Sequence, residues 1–67
     1  MLKNKMSDFG KAIKNALMDQ GKTQTQLCEE VAAITGKYFD GSYLYRIMVG
    51  KNKNETMIAA IKEILNI

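Results

Sequence analysis

Between Lys22 and Lys53 the chain runs twice through apolar residues at helical spacing, and Gly36 stands between the two runs. In the first run Leu27, Val31 and Ile34 recur at steps of four and three, with Cys28 and Ala32 beside them. In the second, Leu44, Ile47 and Met48 repeat the pattern. Residues so spaced share one face of an α-helix and leave the other face to water. A glycine between the runs can take the left-handed conformation in which a helix stops and the chain turns. The stretch therefore predicts two short helices joined through a bend. On the second helix, Ser42, Tyr43, Tyr45, Arg46 and Val49 fall outside the apolar stripe. Tyrosine and arginine are enriched at binding surfaces. Of the two tyrosines, Tyr45 is expected to be the one that packs toward the core.

The flanking sequence supplies two more helices and the signals that bound all four. Ser7 or Asp8 can cap a helix from Asp8 to Gln20, with Phe9, Ile13, Ala16 and Leu17 on one face and Gly21 ending it. Thr23 and Gln26 have capping-box spacing, in which each side chain satisfies the other residue's backbone amide. Lys37, Tyr38 and Phe39 form the connection, and Phe39 is an apolar anchor ahead of the cap Asp40. The third helix is predicted over Gly41–Val49, closed by Gly50. A polar, basic loop, Lys51 to Asn54, leads to a fourth helix over Glu55–Leu65. Its stripe of Met57, Ile58, Ile61, Ile64 and Leu65 is wide enough to leave Ile64 or Ile67 for a partner. Proline is absent and no strand-type alternation appears. The expected fold is all-α: a compact bundle of four or five short helices containing a helix-turn-helix. Residues 1–6 are expected to be a flexible basic arm, and 7–67 a single domain.

Size and composition remove several alternatives. A 67-residue chain buries only about 60% of its unfolded surface, so it depends on well-packed helices or self-association. A single cysteine excludes a disulfide framework, and one Cys with no His leaves no Cys/His metal site. Cys28 lies on the apolar face and reads as a small buried hydrophobe. No apolar run approaches the roughly 18 residues that cross a membrane. The basic start MLKNKM is not followed by the apolar segment of a secretory signal, and the free cysteine points to the cytoplasm. The net charge of +3 is unevenly placed. Residues 36–54 hold Lys37, Arg46, Lys51 and Lys53 against Asp40 alone, while residues 23–35 hold Glu29 and Glu30 without a cation. Positive charge gathered around the third helix fits a nucleic-acid footprint. Nine of the ten basic residues are lysine, so Arg46 is the one guanidinium.

At this point the chain resembles a known family. Thr23-Gln24-x-x-Leu27-Cys28-x-x-Val31, followed by Phe39-Asp40-x-Ser42-x-Leu44-x-Arg46-Ile47-x-x-Gly50-Lys51, is similar to the helix-turn-helix core of Cro and phage-repressor (Xre) proteins. The ending Leu65-Asn66-Ile67 is similar to that of many such domains. The resemblance implies a lambda-repressor-like fold. It departs in four places, one of them Met48, which follows Arg46-Ile47 where the family usually has an acidic residue. Seven residues, AAITGKY, stand between Val31 and Phe39 where the family typically has one, so the second helix should run an extra turn. Gly41 stands where glutamine is frequent, and one helix rather than two follows the third.

The resemblance further implies a regulator that binds double-stranded DNA, a small Cro-like repressor acting as a homodimer on a palindrome. Ser42, Tyr43 and Arg46, with Tyr45, are the expected base-reading residues. Arg46 is the candidate for two-pronged contact with guanine. Thr23, Gln24, Lys37, Lys51, Asn52 and Lys53 are the expected phosphate contacts. The alternative is a helix-turn-helix-derived protein-interaction module, such as an antirepressor. An enzyme is not expected, since there is no His, no paired carboxylates in a plausible cleft and no phosphate-cradling glycine loop. No cofactor, small-molecule ligand or membrane partner is implied.

Overall fold

The protein's structure, a computed structural model, describes residues 6–67. Four helices follow one another: α1 (Asp8–Gln20), α2 (Gln24–Thr35), α3 (Gly41–Met48) and α4 (Glu55–Leu65). No strand occurs among the described residues, and no helix is long and apolar enough to cross a membrane. The arm expected over 1–6 lies outside the described residues except for Met6, which packs part-buried against the core.

Each helix begins where a short polar side chain can catch its first amides. Ser7, Thr23, Asp40 and Asn54 are the four N-caps, accepting from the amides of Gly10, Gln26, Tyr43 and Met57. The Thr23–Gln26 capping box is complete, with both reciprocal bonds formed, at 3.0 and 2.8 Å. At the end of α2, Gly36 has φ 68°, a left-handed value that turns the chain toward α3. α3 stops at Met48, one residue earlier than its sequence suggests, with Val49 as its C-cap.

The core is formed by Ile13, Ala16 and Leu17 of α1, Leu27, Cys28 and Val31 of α2, Phe39, Leu44, Ile47 and Met48 around α3, and Met57, Ala60, Ile61 and Leu65 of α4. α4 packs chiefly against α2, and α1 against α3. Two connections outside the core fix the arrangement. The Gln20 side chain donates to the carbonyl of Leu65 at 2.8 Å, tying the ends of α1 and α4. The carbonyl of Met48 accepts from both the amide and the hydroxyl of Ser7, at 2.9 and 2.7 Å. That second connection lets α1 pass so close to the end of α3 that a Cβ on Gly10 would overlap the Met48 carbonyl.

Ile34 departs from expectation. It lies within about 20° of Leu27 on the helical wheel, so its direction is right. It is nevertheless 53% exposed, in the last turn of α2, two residues before the Gly36 cap.

Candidate functional site

α3 presents a narrow solvent stripe. Ser42, Tyr45 and Arg46 are exposed at i, i+3 and i+4, and Val49, half-buried, continues the line. Leu44, Ile47 and Met48 occupy the opposite face, in the core.

Tyr43 and Tyr45 exchange the roles their sequence positions suggest. Tyr45 is 42% exposed, whereas Tyr43 packs against the core. The cause is Phe39. Four residues before Tyr43 and itself buried, it sets its ring centroid 4.8 Å from that of Tyr43. The Tyr43 ring also carries the Arg46 guanidinium, 5.8 Å from the ring centroid. Phe39, Tyr43 and Arg46 thus form a stack of successive contacts, from buried Phe39 through half-buried Tyr43 to exposed Arg46. A cation over an aromatic face is held electrostatically, which narrows where this guanidinium can go. Tyr43 is therefore half-buried, with the Arg46 guanidinium over its ring.

The N-terminal end of α3 is organised by Asp40. Its Oδ1 accepts from the Tyr43 amide at 2.9 Å, and its Oδ2 accepts from the Tyr38 hydroxyl at 2.8 Å. The Tyr43 amide, the Tyr38 hydroxyl and the nearby Arg46 charge hold the Asp40 carboxyl below its ordinary pKa. The same hydrogen bond, seen from the other partner, raises the Tyr38 phenol, with the Asp40 charge adding to it. Tyr38 was read from sequence only as part of a connection, yet it is 77% exposed and pinned by its hydroxyl. A Tyr two residues before an Asp cap was the one available signal.

The expected phosphate contacts do not share one surface. Gln24 lines an open groove of about 380 Å³ between α2 and α3, together with Asp40 and Gly41. Cys28 lines the same groove, and burial, with the Asp40 and Glu29 charges, pushes its thiol above the ordinary pKa. Thr23 is exposed beside Gln24 at the start of α2, its oxygen engaged in the capping box. Lys37 is exposed in the connection, where its amide donates to Thr35 Oγ1. The amides of Lys51 and Asn52 both donate to the Arg46 carbonyl, which fixes that loop to α3. Asn52 Oδ1 accepts from the Asn54 amide. Lys53 and Asn52 line a second groove of about 490 Å³, with Phe9, Ile47, Ile58 and Lys62, away from Gln24. Lys22, the remaining cation near α2, is paired with Glu30 at 2.8 Å. Glu29 in the first groove places negative charge next to Gln24.

Comparison with family models, curated proteins and solved structures returns no match.

Proposed function

We propose that this chain is a sequence-specific DNA-binding regulator of the Cro and phage-repressor type, with α2 and α3 as its helix-turn-helix. The observation that carries the reading is the Phe39–Tyr43–Arg46 stack. It sets the chain's one guanidinium on the solvent stripe of α3, in line with Ser42 and Tyr45. A guanidinium aimed from a helix face into the major groove can donate two bonds to guanine, a contact worth about 1–3 kcal/mol of discrimination. Lys37, Lys51 and Asn52 flank the helix and supply phosphate contacts, with Thr23 and Gln24 at the start of α2. One eight-residue helix reads few base pairs. The protein therefore acts as a homodimer on an inverted repeat with half-sites about one turn apart. Repression would follow from occupying the site.

Selection of bound duplexes from a randomised library at about 150 mM salt tests this directly. The expected result is an enriched inverted repeat, with Arg46→Ala losing its preferred guanine by roughly tenfold or more while keeping weak binding to any duplex. A folded protein that enriches nothing overturns the reading.

One observation favours a second reading, a protein-interaction module. Glu29 and Asp40 face the groove beside Gln24 and would oppose a phosphate there. Salt separates the two, since DNA affinity falls steeply with salt through counterion release and an aromatic protein interface does not.

A further inference from the structure

Tyr38 is the most exposed large apolar side chain among the described residues, at 77%, yet its hydroxyl has a partner. It sits in the segment that lengthens the passage from α2 to α3, two residues before the α3 cap. Its hydroxyl donates to Asp40 Oδ2 at 2.8 Å, and the other oxygen of that carboxylate holds the first turn of α3. The ring is thus anchored to the end of the helix that carries Ser42 and Arg46.

This hydrogen bond decides what Tyr38 can offer a partner. A tyrosine that meets a phosphate does so by donating its phenolic proton. Here that proton is already given to a carboxylate, and the carboxylate itself repels phosphate. What remains is the flat apolar face of the ring and a hydroxyl lone pair. On DNA the matching apolar surfaces are the thymine methyl group in the major groove and the deoxyribose ring.

We infer that Tyr38 is an additional DNA-recognition residue, placing its ring face against an apolar surface of the DNA beside the N-terminus of α3. This inference rests on the proposed DNA-binding function. It assigns the lengthened connection a contact of its own. It also assigns the two exposed aromatics different places, Tyr45 on the helix stripe and Tyr38 at its approach.

The test uses the full chain and the duplex that the wild-type protein selects. Tyr38→Ala and Tyr38→Phe are compared by titration, with far-UV circular dichroism and thermal melting confirming that both fold. Tyr38→Ala should weaken binding about tenfold. Tyr38→Phe, which keeps the ring and loses only the hydroxyl, should bind within about twofold of wild type. The duplex is then scanned with uracil in place of each thymine. A position where uracil weakens wild type but not Tyr38→Ala identifies a methyl contact, and no such position identifies the sugar. Equal losses in both variants would mean that the hydroxyl acts by holding Asp40, and the inference fails. It fails equally if Tyr38→Ala binds as wild type, or if its loss traces to dissociation of a dimer seen by sedimentation. In each of these cases a wild-type protein that still selects DNA leaves the proposed function standing. If the wild type selects no DNA, both fall together.

Discussion

The two ends of α3 are held in opposite ways. The C-terminal end is clamped from within. Ser7 gives two hydrogen bonds to the Met48 carbonyl, and Gly10 lets α1 approach without a side chain between them. The N-terminal end is held nearer the surface, by the half-buried Asp40 cap and the hydroxyl of the exposed Tyr38. At the buried end, position depends on shape and on one carbonyl having its donors. At the exposed end it depends on charge and hydrogen bonds that solvent can compete for. The helix is thus fixed by its inner end, while its outer end is free to carry chemistry that a packed seam would not admit.

Substitutions can break this contrast, and the largest effect belongs to the buried end. Gly10→Ala forces a Cβ against backbone, which cannot rotate away, and should destabilise by about 3 kcal/mol. For a chain of this size, that lowers the melting temperature by more than about 10 °C, read by circular dichroism. If Gly10→Ala melts as wild type, the close approach of α1 to α3 is wrong. Ser7→Ala removes both the α1 cap and the hydroxyl bond to Met48, and should cost about 1–2 kcal/mol in denaturant titration. Asp40→Ala at the exposed end should lower the melting temperature by less than Ser7→Ala does, with the loss confined to α3 in amide exchange.

The smallest effect is pH dependence, which sharpens the comparison because it belongs to the exposed end. Asp40 has its folded-state pKa lowered from 3.8, so its contribution is present above that value and disappears as pH falls through the lower folded pKa. Tyr38 has its folded-state pKa raised from 10.0, so its contribution is present below that value and disappears as pH rises through the higher one. Tyr38→Phe should abolish the alkaline difference and weaken the acid one, since a single hydrogen bond links both. Melting curves at the two extremes, wild type against variant, measure it. An unchanged alkaline profile would show that the bond does not form in solution.

Much of the frame was legible in the residues because its signals are local. A Thr-x-x-Gln spacing, an Asp before a glycine-led helix and an Asn before Glu55 specify caps within a few residues, and all three caps form. The α1 and α4 limits follow from the same chemistry. The candidate site was less legible. Helical periodicity puts Tyr43 and Tyr45 outside the Leu44–Ile47–Met48 stripe but does not say which ring meets Phe39. Nor does it say that Lys53 faces a different groove from Gln24, or that Ile34 is exposed.

The sequence by itself determined the positions of these helices, their caps and the glycine turns, because backbone amides near a helix end are satisfied by neighbours a few residues away. Only the tertiary structure decided that the Arg46 guanidinium lies over the Tyr43 ring, that Tyr38 stands exposed while tied to Asp40, and that α1 touches the carbonyl of Met48. Those outcomes turn on how far each helix extends beside its neighbours and which ring reaches Phe39 first. Such distances are set by the packing of all four helices together, and no short stretch of sequence contains them.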